Sequence, residues 1–175
     1  MATATQATSK SSKSDPGVTK EGKASARPDD AVSMLMADHR KVEDLFASYE
    51  KAKEDDARKQ AIFQQIGAEL KVHMALEEGI FYPASRPFVD EQDTVNEAEI
   101  EHASAKDLIA QLEKMSPSDD YYDAKVKVLS EMIEHHVEEE ETEYFPDVRR
   151  SEMDLKAVGE EMKAKKAELT GAKAS

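Results

Sequence analysis

The chain has 175 residues, 39% hydrophobic and 35% charged, with a net charge of −14 at neutral pH. It has no cysteine, which excludes disulfides, thiolate zinc sites, iron–sulfur clusters and cysteine nucleophiles. The length suits one domain with a sizeable core, and the acidic balance argues against nucleic acid and anionic membrane as partners.

Residues 1–28 are rich in Ser, Thr, Ala and Lys. They carry Lys10, Lys13, Lys20, Lys23 and Arg27 against Asp15 and Glu21. Too little apolar surface is present to offset the entropy of ordering, so a disordered basic tail is expected. No apolar run is long enough to cross a membrane and no apolar signal region opens the chain, so a soluble, cytoplasmic protein is expected.

Pro28-Asp29-Asp30 is a breaker followed by cap residues, a start signal for a helix over 30–53. Its apolar stripe holds Val32, Leu35, Met36, His39, Val42, Leu45, Phe46 and Tyr49, stepping by three and four. A second helix is expected over 56–81, with Ile62, Phe63, Ile66, Leu70, His73, Met74, Glu77 and Phe81 on one face. Pro83 and Pro87 should end it, and a loop of about ten residues should follow. A third helix spans 93–115, with Val95, Ala98, His102, Ala105, Leu108, Ile109 and Leu112 inward. Ser116-Pro117-Ser118-Asp119-Asp120 reads as a turn with cap candidates. The fourth helix spans 120–144, with Val126, Leu129, Met132, Ile133, His136, Glu140 and Tyr144 inward, and Pro146 should end it. Residues 150–169 form a shorter, more polar helix carrying Met153, Leu155, Val158, Met162 and Leu169. That last helix is either a lid packed on the rest or a projecting, frayed one.

The fold class this predicts is all-α, an up-down-up-down four-helix bundle at 29–148, with a C-terminal helix and tail at 149–175. An internal repeat supports it. Residues 31–86 align on 94–149 without gaps at an offset of 63, with 14 identities in 56 pairs. The bundle is therefore one helical hairpin used twice, about a pseudo-two-fold axis.

The repeat places the chemistry. His73-x-x-x-Glu77-Glu78 recurs as His136-x-x-x-Glu140-Glu141, and Asp38-His39 recurs as Glu101-His102. Residues i and i+4 share a helix face, so His73 pairs with Glu77 and His136 with Glu140, inside the apolar stripes. Four imidazoles and two carboxylates then meet in the interior, where unpaired polar groups cost several kcal/mol each. Metal binding removes that cost. Two histidines and one carboxylate per hairpin match the facial set that favours iron(II) with open positions, and a glutamate near the axis can bridge two metals. Without thiolate, iron or manganese fits better than a closed zinc site. Open positions imply a small ligand: O2, peroxide, NO or an azide-like anion.

A lone histidine on an apolar face is more often a satisfied core residue than a ligand. Four of the chain's five histidines at repeat-matched positions, two with Glu at i+4, favour the metal. His135 is turned about 100° from His136 and is expected at the surface or beside the site. Phe81 and Tyr144 are expected in the core, with lining of a ligand pocket as the other reading. Tyr144 could also donate a hydrogen bond to a bound oxygen species.

Asp38-His39-Arg-x-Val-x-x-Leu45-Phe46, His73-x-x-x-Glu77-Glu78-x-x-Phe81-x-Pro83, Glu101-His102 and His136-x-x-x-Glu140-Glu141-x-x-Tyr144-x-Pro146 resemble the hemerythrin-like HHE cation-binding family over residues 30–148. The resemblance implies a non-haem di-iron centre of two iron ions, with an oxo or hydroxo bridge between them left open. Its implied ligands are His39, His73, Glu77, His102, His136 and Glu140, with Glu77 and Glu140 as bridges. One departure matters. Oxygen-carrying hemerythrins have a further histidine where this chain has Lys106, whose repeat partner is Glu43. Either one iron lacks its third histidine, or Glu43 approaches the other iron.

A more open site of this kind favours reactivity or sensing over reversible O2 carriage. The expected function is binding of, or reaction with, O2, peroxide or NO in stress defence or sensing. The alternative is iron or metal handling without redox turnover, and a structural bundle with vestigial ligands is the third reading. Ferritin-like carboxylate proteins match poorly, since only Glu99-x-x-His102 follows their Glu-x-x-His pattern. No protein partner is indicated.

Overall fold

The computed structural model describes residue 1, residues 30–90 and residues 92–171. The basic tail expected at 1–28 lies, Met1 apart, outside the described residues.

Asp30 opens α1 (Ala31–Ala52) as expected: its carboxylate accepts from Ser33 N at 2.8 Å. Asp55 caps α2 (Asp56–Leu76) in the same way, accepting from Arg58 N at 3.0 Å. Then come α3 (Gln92–Leu112), α4 (Tyr122–Glu139) and α5 (Leu155–Thr170). The four long helices form two antiparallel hairpins, α1–α2 and α3–α4, joined as a bundle. No strand occurs, and no helix is long and apolar enough to cross a membrane, among the described residues.

The expected helix ends are corrected in three places. Pro83 and Pro146 do not stop their helices. Each helix widens into a π-turn, Glu77–Phe81 in the first hairpin and Glu140–Tyr144 in the second. There Tyr82 N–H donates to Glu77 O, and Phe145 N–H to Glu140 O, five residues back. Pro83 and Pro146 then fall in the first turn of short α-segments, Tyr82–Ser85 and Phe145–Arg150, where a missing N–H is harmless. The loop expected after Pro83 is correspondingly short, because a 3-10 turn continues to Phe88. Finally, the Ser116–Asp120 stretch supplies no side-chain cap. Tyr121 occupies that position in the left-handed conformation, φ 69°, while Asp119 instead accepts from Ser116 N.

Two apolar layers fill the bundle. One includes Val42, Phe46, Phe63, Ile66, Leu70, Ile109 and Leu129; the other includes Leu35, Leu76, Phe81, Tyr82, Tyr144 and Phe145. His39 lies on α1 between Leu35 of one layer and Val42 of the other, and the remaining polar residues of the motif occupy the same level. The last helix is packed rather than projecting. It lies against α1 and α2, buries Gly159 and Met162, and pairs Lys166 with Asp38.

Candidate metal centre

The six residues singled out by the repeat are brought together and buried: His39, His73, Glu77, His102, His136 and Glu140 are each at most 4% exposed. The geometry follows the repeat. Within the first hairpin His39 Nε2 and His73 Nε2 are 3.2 Å apart; within the second, His102 Nε2 and His136 Nε2 are also 3.2 Å apart. The glutamates stand between the pairs. Glu77 Oε2 lies 3.1 Å from His73 Nε2 and 3.4 Å from His102 Nε2. Glu140 Oε2 lies 3.4 Å from His39 Nε2 and 3.5 Å from His136 Nε2. Each glutamate therefore reaches one histidine of each hairpin.

This arrangement is poorly satisfied by protein alone. Glu77 Oε1, Glu77 Oε2, Glu140 Oε2 and His73 Nδ1 are buried without a well-formed hydrogen bond. Such orphaned groups are rare in native interiors. Two Nε2 atoms facing each other at 3.2 Å cannot both carry a proton there. That spacing does suit two imidazoles sharing one ion at about 2.1 Å each. The donor sets His39, His73, Glu77, Glu140 and Glu77, His102, His136 each gather within 4.8 Å, and nitrogen and carboxylate donors without sulfur fit a transition-metal cation.

The outward nitrogens are held in a repeat-related pattern. His39 Nδ1 meets Glu141 Oε1 at 2.8 Å, and His102 Nδ1 meets Glu78 Oε1 at 3.0 Å. Each contact joins a histidine to the carboxylate that follows the other hairpin's inner glutamate. His136 Nδ1 meets Glu101 Oε2 at 3.0 Å, whereas His73 Nδ1 is 3.9 Å from Asp38 Oδ2. Such outer carboxylates fix the tautomer, leaving Nε2 free toward the centre.

The buried imidazoles and carboxylates shift one another's protonation. Burial pushes the His73 imidazole down, but the Glu77 carboxylate and the nearby Asp38 carboxylate outweigh it, taking His73 up to about 10. Burial likewise opposes protonation of His136, and Glu140 and Glu101 overcome it, to about 9. Burial and the neighbouring His136 hold His102 down to about 3. Burial raises the Glu77 carboxyl, and the Glu140 carboxylate adds to the rise. Burial pushes Glu140 up too, but His136 and His39 bring it down to about 2. The buried carboxylates thus favour positive charge at His73 and His136, and a cation bound there would displace those protons.

The residues around the centre divide between core, site and surface. Tyr144 does not turn to the site; its hydroxyl bonds Ser85 Oγ at 2.6 Å, and its ring packs edge-on to Phe81. The phenol at the site is Tyr82, which donates to Glu140 Oε1 at 2.8 Å and stacks on His102. Its repeat partner Phe145 stacks on His39 with no hydroxyl to offer Glu77. The repeat carries this difference as Tyr at 82 against Phe at 145, one residue beyond the matched pair Phe81 and Tyr144. Lys106 does not reach the centre: its Nζ bonds both oxygens of Glu78 at 2.5 Å. Glu43 is exposed and pairs with Arg40 at 2.8 Å, away from the centre. His135 is at the surface, 3.4 Å from Glu139.

Comparison with known proteins identifies a family for the chain. Residues 30–148 match the family described as Hemerythrin HHE cation binding domain. The chain is 32% identical over 118 residues to a DNA nickase of Nostoc sp., covering 67% of this chain and 33% of that protein, so it spans about a third of the relative's length. The fold is similar to the crystal structure of a hemerythrin HHE cation binding domain-containing protein from Mycobacterium kansasii, with TM-score 0.69 and 24% identity over 82% of this chain and 88% of that one. By the length of the match and the His and Glu positions it spans, the chain belongs to the hemerythrin HHE cation binding domain family.

Proposed function

We propose that the chain is a non-haem di-iron protein that binds, or reacts with, O2, peroxide or NO in stress defence or sensing. The supporting observation is the pair of facing histidine couples sharing two buried glutamates, with buried carboxylate oxygens left unpartnered. Iron held there supplies a redox couple and open positions for a small ligand.

The chain's own residues set the conditions. His39, His73, His102 and His136 would hold the iron, their Nε2 atoms facing each other in pairs 3.2 Å apart. Glu77 and Glu140, each within 3.5 Å of one histidine of each hairpin, would complete the donor set and offset the charge of bound iron. Glu141, Glu78 and Glu101 keep the imidazole Nδ1 atoms occupied, so the Nε2 atoms stay directed inward. Tyr82 keeps Glu140 oriented. Phe81, Tyr144 and Phe145, all buried, exclude water on one side. Lys106, tied to Glu78, supplies no ligand, and Glu43 points away. Fewer protein ligands than an oxygen carrier has leave more room for reaction.

DNA nicking forms no part of this proposal. The matched segment is a third of the nickase, and a chain of net charge −14 repels a phosphate backbone.

The test is optical. Iron-loaded protein is prepared without oxygen, then exposed to O2, NO or azide. A new charge-transfer band that is absent in His73→Ala supports the reading. A protein whose stability depends on iron but whose spectrum never responds to these ligands would instead be a metal-handling one.

A further inference from the structure

The two seams between the hairpins are built differently. Under the 63-residue repeat, the seam between α2 and α3 corresponds to that between α4 and α1. The α2–α3 seam is filled. A Cβ added at Gly67 would lie 3.5 Å from Ile109 Cγ2, an ordinary contact distance, so the fully buried Ile109 already fills the space beside the glycine. Above it, Lys71 Nζ and Glu113 Oε1 meet at 2.5 Å.

In the α1–α4 seam the counterparts of Gly67, Lys71 and Glu113 are Ser130, Glu134 and Glu50. The lysine–glutamate pair has become two glutamates, which repel. This seam is cleft. An outer cavity of about 490 Å³ includes Tyr49, Lys59 and Asp123 in its walls. It runs into an inner cavity of about 220 Å³, the two sharing Phe46, Glu50, Ser130 and Glu134. Behind the inner cavity a space of about 10 Å³ touches all four histidines. Val42, Ile133 and Val137 line both the inner cavity and that space, so the wall between cleft and centre is one side chain thick. These three are 3%, 8% and 6% exposed; their counterparts Ala105, Leu70 and Met74 are at most 1% exposed.

We infer that the α1–α4 seam is the way in for the small ligand, with Val42, Ile133 and Val137 as its gate and Glu43, Glu50 and Glu134 as a mouth that favours uncharged molecules over anions. The inference rests on the small-ligand reading above. A space of about 10 Å³ is close to the limit for a single water, so passage requires these side chains to move. Rotamer motion of apolar side chains permits that for a molecule of two to four atoms. The carboxylates at the mouth lower the local concentration of any anion.

The test uses three variants, none at a proposed ligand. Val42→Ala thins the gate, Val137→Met copies the filled seam, and Glu134→Lys restores the cation that the other seam has. Stopped-flow binding of NO and azide to the iron-loaded full chain is measured for each, with iron content as control. Val42→Ala should speed NO association and dissociation together, and Val137→Met should slow both, each by about tenfold and with little change in Kd. Glu134→Lys should speed azide about tenfold at low salt while changing NO little. NO rates equal to wild type in both gate variants overturn the route, and unchanged azide rates in Glu134→Lys overturn the mouth. Xenon NMR on the metal-free chain separates the two readings. Should the wild-type protein bind neither NO nor azide, the small-ligand reading fails, yet the seam is still tested: more xenon entering Val42→Ala than Val137→Met supports it as a route, and equal uptake overturns it.

Discussion

The two hairpins are the same motif folded twice around one shared centre, and they differ in how they support it. Histidines, glutamates, prolines and π-turns coincide under the repeat. The supports do not. Glu140 of the second hairpin receives a hydrogen bond from Tyr82, while Glu77 of the first receives none, the repeat partner of Tyr82 being Phe145. Asp38 beside His73 is covered by α5 through Lys166; Glu101 beside His136 has only the exposed His135 near its free oxygen. The lesson is that repetition supplies the geometry of the histidine and glutamate cluster, whereas unrepeated neighbours make its two halves inequivalent.

The largest expected effect tests what the halves share. Glu77 and Glu140 each reach both hairpins, so Glu77→Ala or Glu140→Ala should lose both ions, whereas His39→Ala should lose one more readily than the other. Metal analysis after iron-replete expression measures this. Equal losses from all three variants would mean that the centre does not divide by hairpin.

Next comes the unrepeated phenol. Tyr82→Phe leaves the buried Glu140 short of a donor and should destabilise the metal-free chain by about 1.5–3 kcal/mol, read by urea unfolding. Phe145 already lacks a hydroxyl, so an effect on Glu77 from that side is absent by construction. An unchanged midpoint in Tyr82→Phe would break the asymmetry.

A smaller change is expected at the outer supports. Lys166→Ala should loosen Asp38 behind His73 and weaken iron retention by up to about tenfold, measured by competition with a chelator. His135→Ala should change it far less, since His135 is exposed and 3.9 Å from Glu101.

The smallest effect lies at the far end of the bundle. Tyr49 and Lys59 hold Asp123 at 2.6 and 2.7 Å, an arrangement that the other half lacks. Burial alone would raise the Asp123 carboxyl, but Lys59 and Tyr49 bring it below its ordinary 3.8. Its folded value is the lower one, so the stabilisation is complete above the unfolded value and fades as pH falls through the folded one. Because the carboxylate is mostly exposed, Asp123→Asn should cost only about 0.5–1 kcal/mol near neutral pH, and the difference from wild type should shrink in acid.

Much of this was legible in the sequence because the repeat is chemical as well as hydrophobic. His39, His73, His102 and His136 interrupt apolar stripes at matched positions, and that alone located the centre. The π-turns were not foreseen, since periodicity counts residues per turn and a proline reads as a stop. In retrospect, the signal was a proline six residues after each inner glutamate. Tyr82 was missed because it sits one residue off the stripe until the widened turn rotates it inward. The packing of α5 was not decided by its weak apolar pattern; it depends on Met162 and on Lys166 finding Asp38, a contact 128 residues away in sequence.

The most direct test of a centre assembled from both hairpins is iron content together with Mössbauer spectroscopy on the full chain, expressed with ample iron. The account predicts two irons per chain that share a magnetically coupled state through the glutamates between them. Fewer than about one iron per chain, or two irons that behave as isolated ions, would contradict it.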